Sequence, residues 1–205
     1  MQRRSWFLCG FLLVSTQLLA EVVWNTIGSG SFVVPVLVGL QDGKNLEWAI
    51  ALRPSATYTL TSIALPLSLR SRPNAMTLAL VTDADGVPGT PIETFRIKDV
   101  NTTEPVIYTV TSVNHPRLEA NTQYWIIAGA ISPTEMTWSN TADSWSANAR
   151  LEAFREKGHP WSVIADPYVP GVLVLGREIN PTVASKSNPE RFTCASGQRD
   201  LDERF

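Results

Sequence analysis

The chain has 205 residues, 44% hydrophobic, 18% charged and 9% aromatic, the balance of a globular protein and not of a disordered, collagenous or multi-span membrane chain. The formal charge is -2, and with Arg3 and Arg4 set aside fifteen basic residues face nineteen acidic ones, which argues against a nucleic-acid-binding surface. This length is enough for one substantial core, and one domain is expected.

Residues 1–20 read MQRRSWFLCGFLLVSTQLLA, with two arginines ahead of an apolar stretch and acidic Glu21 after it. This layout predicts a signal peptide cleaved after Ala20, although Leu18 is bulkier than the small residue preferred there. An uncleaved anchor is the competing layout, but the apolar stretch is shorter than the roughly 18 residues that a membrane span needs. Cleavage would give a secreted protein without a membrane span. Of the two cysteines, Cys9 would leave with the leader and Cys194 would remain. No intramolecular disulfide could then form, and the fold would rest on its core.

An apolar opening strand is expected over residues 21–27, then a break at Gly28-Ser29-Gly30-Ser31 and an apolar run over 32–38. A turn follows over residues 41–45. Leu46, Trp48, Ile50 and Leu52 alternate with Glu47, Ala49, Ala51 and Arg53, a period of two that places four large side chains on one strand face. Tyr58 and Leu60 open a strand on even positions, yet Ile63, Leu65, Leu67 and Leu69 continue on odd ones, so a bulge is predicted near Thr61-Ser62. Pro66 has no N–H for a ladder and predicts an edge strand or a local irregularity.

After a turn over residues 70–74, Met76, Leu78 and Leu80 lead into a hairpin whose loop is expected to occupy residues 83–90, where Asp, Gly and Pro cluster. Residues 92–97 form its return strand. Val106, Tyr108 and Val110 mark another strand. A connection over 114–121 is expected to drop Leu118 into the core, and a strand over 122–128 should place Tyr124 and Trp125 on opposite faces. Met136 and Trp138 suggest a short strand, residues 140–148 form a polar segment around Trp145, and residues 151–157 read as a strand. Residues 161–164 and 172–175 are expected to complete the core. From residue 179 the composition is that of a disordered tail.

These short β-rich runs, punctuated by Gly, Pro, Asn or Asp with no convincing amphipathic helix, predict an all-β fold, a β-sandwich or jelly-roll-like domain. The expected organisation is a signal peptide at 1–20, the domain at 21–178 and the tail at 179–205.

The succession Tyr58-Thr59-Leu60-Thr61-Ser62-Ile63, Asp85-Gly86-Val87-Pro88-Gly89-Thr90-Pro91-Ile92-Glu93 and Leu118-Glu119-Ala120-Asn121-Thr122-Gln123-Tyr124-Trp125, with Leu78-Ala79-Leu80 and Trp138-Ser139-Asn140, resembles the bacterial choice-of-anchor R domain. The resemblance covers residues 46–176. It implies an exported β-sandwich on a bacterial surface, often followed by a PEP-CTERM-type sorting signal, and no catalytic residues come with it. Here Asn188-Pro189-Glu190-Arg191 has no apolar helix after it, a departure that points to release or to an incomplete reading frame.

Asp83, Asp85 and Gly86 could offer oxygens to calcium, but an EF-hand loop counted from Asp83 would place Thr94 where a Glu is required, so a plain turn is simpler. Glu93 or Glu104 could pair with an aspartate as in glycosidases, an arrangement that spacing alone does not establish. His115 and His159 are far apart and lack cysteine neighbours, which makes a poor zinc set. Asn101-Thr102-Thr103 fits a glycosylation sequon, a signal of little meaning in bacteria. Trp125 and Trp138, in apolar runs, are expected in the core. Trp145 and Trp161, among polar residues, are expected to be exposed and are the candidate ligand-binding residues.

The functional expectation is a secreted, non-catalytic structural or binding module at the cell surface or in the extracellular matrix. Its partners would be extracellular polysaccharide or surface proteins, with neither nucleic acid nor membrane, and no metal or cofactor is implied. The alternative is a carbohydrate-binding module using Trp145 and Trp161, with an extracellular glycan hydrolase or lyase as a remote third.

Overall fold

The computed structural model describes residues 19–28, 32–71, 75–131, 134–141, 150–166 and 169–179. Residues 1–18 of the expected leader, Trp145, Cys194 and the expected tail from 180 on lie outside the described residues. The rest is all-β, with strands β1 (Glu21–Asn25), β2 (Phe32–Gln41), β3 (Lys44–Leu52), β4 (Tyr58–Leu69), β5 (Met76–Ala84), β6 (Val87–Ile97), β7 (Val106–Thr111), β8 (Arg117–Leu118), β9 (Tyr124–Ala130), β10 (Glu135–Thr141), β11 (Arg150–Glu156), β12 (Ser162–Asp166) and β13 (Leu173–Glu178).

Every pairing between these strands is antiparallel, and the hydrogen-bonded order is β1-β13-β4-β10-β2-β3-β9-β5-β6. The sheet branches twice. At β4, β13 and then β10 run along one flank while β8 and then β7 run along the other. At β3, Leu46 pairs with Gly39 of β2 and with Glu156 of β11, so those strands take opposite flanks, and β9 continues beyond β2 from Glu47. One half is therefore β6-β5-β9-β3-β11-β12 and the other is β1-β13-β4 with β7 and β8. Strands β2 and β10 join them, so the facing walls of the core belong to one continuous, curled sheet.

Both halves feed a single core. It holds Ile50 and Leu52 from β3, Leu78 and Leu80 from β5, Tyr124 and Ile126 from β9, and Val172 and Val174 around the start of β13. Tyr58, Leu60, Ile63, Leu65 and Leu67 of β4 all enter this same core despite the change of phase between them. The reason is the predicted bulge. Leu175 pairs with Ser62 but Gly176 pairs with Leu60, leaving Thr61 as the extra residue that re-phases the strand. Tyr124 and Trp125 face opposite ways as expected, and Leu118, Trp125 and Trp138 are fully buried. The Trp138 indole Nε1 donates to the Gly171 carbonyl at 2.8 Å.

Three expectations need correction, and the alternative left open at Pro66 is decided. The loop at 83–90 is a two-residue turn, with Ala84 paired to Val87 across Asp85 and Gly86. Positive φ at both central residues (54° and 86°) is what this turn requires, and Asp-Gly supplies it cheaply. Pro88 and Pro91 then lie within β6, where they are tolerated because β6 ends the pairing order and the register shifts beside them. Pro66 is on a strand with neighbours on both flanks; on one flank it falls where β13 ends at Ala64 and β10 begins at Leu67, the irregular alternative. Residues 161–164 do not complete the main core, because β12 is an outer strand paired only with β11 and Val163 is exposed. The polar segment expected from residue 140 starts later, since Asn140 and Thr141 still pair with β2.

Between β6 and β7 no ladder forms, and one carboxylate spans the gap. Glu93 of β6 is buried, and it accepts the Ser112 hydroxyl at 2.7 Å and the backbone N–H groups of Val113 and Asn114 at 2.8 and 3.1 Å, just after β7. Burial pushes its pKa up, but these bonds and nearby His115 together outweigh burial and hold it below the ordinary glutamate range. A depressed folded-state pKa means that the contribution is complete above the unfolded pKa, near ~4.3, and is lost as pH falls through the lower folded value. Urea denaturation should therefore show stability falling on acidification through that window, less steeply in Glu93→Gln, with the variant about 1–3 kcal/mol less stable at neutral pH. A variant with an unchanged acid limb would show that Glu93 is not the titrating fastening.

The β2 end is equally constrained. Gly39 has φ +101°, and a Cβ there would lie 2.1 Å from the Thr134 carbonyl oxygen and 2.5 Å from the Ala130 Cβ. Gly39→Ala should cost roughly 3 kcal/mol or more in thermal or urea unfolding, combining backbone strain with a clash that flexible side chains cannot relieve.

Candidate functional site

The face of the first half turned away from the main core is built from the alternate residues of β3, β5, β9 and β11. Cross-strand register sets them in rows. Thr94, Ala79, Ile127, Ala49, Ala153 and Val163 form one, and its three alanines, a residue depleted in strands, give it a low floor. Beside it run Pro91, Val81, Trp125 and Ala51, and on its other side Arg96, Thr77, Gly129, Glu47 and Arg155. Ala49, Ala51, Val81, Trp125 and Ala153 make a second, smaller apolar cluster, with Leu151 and Trp161 packed against it.

Trp161 was expected to be exposed. It is half-buried instead, because its ring packs against this cluster and carries the Arg155 guanidinium 4.2 Å from its centroid. Arg155 Nε donates to Glu47 Oε2 at 2.7 Å, and Lys157 Nζ lies 3.9 Å from Glu47 Oε1. Glu47 itself is buried, and opposite it Gly129 leaves room: a Cβ there would sit 3.0 Å from Glu47 Oε1. The result is an indole plane with a cation clamped against it. Its other expected companion, Trp145, lies outside the described residues.

At the far end of the face, Asp83 accepts the Trp125 indole N–H and the Gln123 amide through Oδ1, each at 2.7 Å, and the Gly86 N–H through Oδ2 at 3.0 Å. Arg53 in turn donates to Gln123 Oε1 at 3.3 Å. Burial pushes the Asp83 pKa up, yet the bonds from Trp125, Gly86 and Gln123, with the charge of Arg53, outweigh it and hold the carboxyl below the usual range. Both oxygens are thus engaged by N–H donors in a turn, the arrangement the simpler reading of this stretch anticipated. Glu93, considered for a glycosidase pair, is likewise engaged across the β6–β7 gap, while Glu104 is exposed. His115 Nδ1 is 3.1 Å from the Leu60 carbonyl oxygen, and among the described residues no three metal-ligating side chains cluster.

Sequence reasoning missed Arg155, Glu47 and the Asp83–Trp125 bond. The alternation of Ala49 and Ala51 with large residues was visible, but it did not say that β9 and β11 would lay Trp125 and Arg155 beside them. The described part of the chain is therefore an antiparallel β protein whose outer sheet face carries an aromatic and ionic cluster. Compared with known proteins, it matches no family model, no curated protein and no solved structure.

Removing the Asp83 acceptor leaves a fully buried indole N–H without its partner. Asp83→Ala should lower stability by roughly 2–3 kcal/mol in urea denaturation, and Asp83→Asn, which retains an acceptor oxygen, by less. Equal losses in the two variants would mean that the carboxylate charge, not the acceptor, matters to Trp125.

Proposed function

We propose that the chain is a secreted, non-catalytic β module that serves as a structural or binding unit at the bacterial cell surface or in the extracellular matrix. The layout of residues 1–20 and the resemblance of residues 46–176 to choice-of-anchor R domains support export. A non-catalytic role is supported by Asp83, Glu93 and Glu47, which are each tied to donors of the fold itself and act as fastenings.

The observation that carries a binding role is Trp161. Its half-buried ring has a guanidinium held over it by Glu47, a combination that offers the exposed part of an indole to a sugar ring and oriented donors to its hydroxyls. This favours the carbohydrate-binding form of the reading, with extracellular polysaccharide as the partner. A glycan array with the full-length secreted protein tests it. Trp161→Ala, folded by circular dichroism, should weaken binding of at least one arrayed glycan about tenfold or more, the loss expected for a stacking ring. Binding unchanged in that variant would move the sugar site elsewhere, and an empty array would turn the search to surface proteins.

A further inference from the structure

Where β4, β10 and β2 meet, the outer surface opens into a cleft of about 450 Å³, within the roughly 300–1,000 Å³ typical of small-molecule sites. Its lining contains four hydroxyl residues, Ser68, Thr103, Thr137 and Ser139, one cation, Arg70, and no acidic side chain, with Phe32 on its apolar wall. No residue of the Trp161 cluster lines it.

The lining is built rather than incidental. Thr137 stands directly opposite Ser68 in the ladder and their hydroxyls bond one another, both residues being buried, as is Ser139. Each hydroxyl has one proton and two lone pairs, so a pair bonded to each other still presents acceptor capacity outward. The Leu69 N–H bonds the Thr102 carbonyl at 2.7 Å, which fastens the segment bearing Thr103 as a wall of the cleft. Arg70 is held at its base by its N–H on the Glu135 carbonyl at 3.1 Å, reinforced by Ser71 N–H on the same oxygen. Its guanidinium makes no ion pair among the described residues, although Glu135 and Asp42 line a smaller cleft on its other side. A cation left uncommitted beside a row of hydroxyls is suited to a ligand with one anionic group and several hydroxyls.

We propose that this cleft binds an acidic sugar residue of the uronate class, Arg70 taking the carboxylate in a two-pronged bond and the Ser68, Thr137, Ser139 and Thr103 hydroxyls meeting the ring hydroxyls. The apolar face of the sugar lies towards Phe32. This goes beyond the role assigned to Trp161 and does not depend on it. It makes the acidic polysaccharides of an extracellular matrix, rather than neutral ones, the preferred ligands.

Isothermal titration of the full-length protein with oligosaccharides of galacturonate, glucuronate and mannuronate tests the proposal, with their methyl-esterified forms as uncharged controls. At least one acidic oligosaccharide should bind, its ester about tenfold more weakly or worse, as expected for loss of a charge-assisted pair. Arg70→Gln should show a similar loss and Trp161→Ala none. Thr103→Val, at an exposed position, should weaken binding independently of charge, so the test stands even if Arg70→Gln does not fold. The proposal is overturned if no acidic oligosaccharide binds at millimolar concentration, if acid and ester bind alike, or if Trp161→Ala abolishes binding that a folded Arg70→Gln retains. That last result would leave the Trp161 site standing as the sugar site.

Discussion

Strand β4 must do two things at once, and the rest of the molecule follows from how it does so. Its twelve residues pair with β13 and β10 on one flank and with β8 and β7 on the other, so it is the seam along which half the strands are attached. It must also keep its large apolar side chains on the core side over its whole length. The extra residue at Thr61 reconciles the two, since a strand without it would turn Ile63, Leu65 and Leu67 outward. Pro66 falls where the partner on one flank changes.

Three carboxylates reinforce the branched, curled sheet, one where no ladder forms and two beside paired strands. Glu93 bridges β6 to the segment after β7, Asp83 fixes the β5–β6 turn to Trp125 of β9, and Glu47 holds Arg155 of β11 against Trp161. Each is a carboxylate, buried at Glu47 and Glu93 and partly buried at Asp83, that is returned to donors of the fold, the condition under which a desolvated charge is tolerated. Without disulfides among the described residues, such fastenings supplement a core that already spans both halves.

Much of the fold was legible because strand periodicity is a local property. The alternation from Leu46 to Arg53, the phase slip at Thr61-Ser62, the opposed faces of Tyr124 and Trp125 and the burial of Leu118 and Trp138 could each be read within a few residues. The hairpin was found but its loop was overdrawn. Pro88, Gly89 and Pro91 read as turn residues until β6 is seen to end the pairing order, where missing N–H groups and register shifts are tolerated. The candidate site was legible only as single residues. Trp161 was singled out, but its exposure was misjudged, because Ala49, Ala51 and Trp125 of the cluster it packs on come from distant strands, and the hold of Glu47 on Arg155 spans β3 and β11.

By itself the sequence determined the all-β class, the strand faces and the phase of β4, because side-chain alternation and Gly-Pro punctuation act over one or two residues and are written where they operate. Tertiary structure decided which strands are neighbours, and with that everything depending on pairs distant in sequence. Glu47 meets Arg155 across 108 positions, Ser68 meets Thr137 across 69, and the curled sheet makes one core of two halves. Those meetings are set by the hydrogen-bond register between strands, which no local pattern encodes.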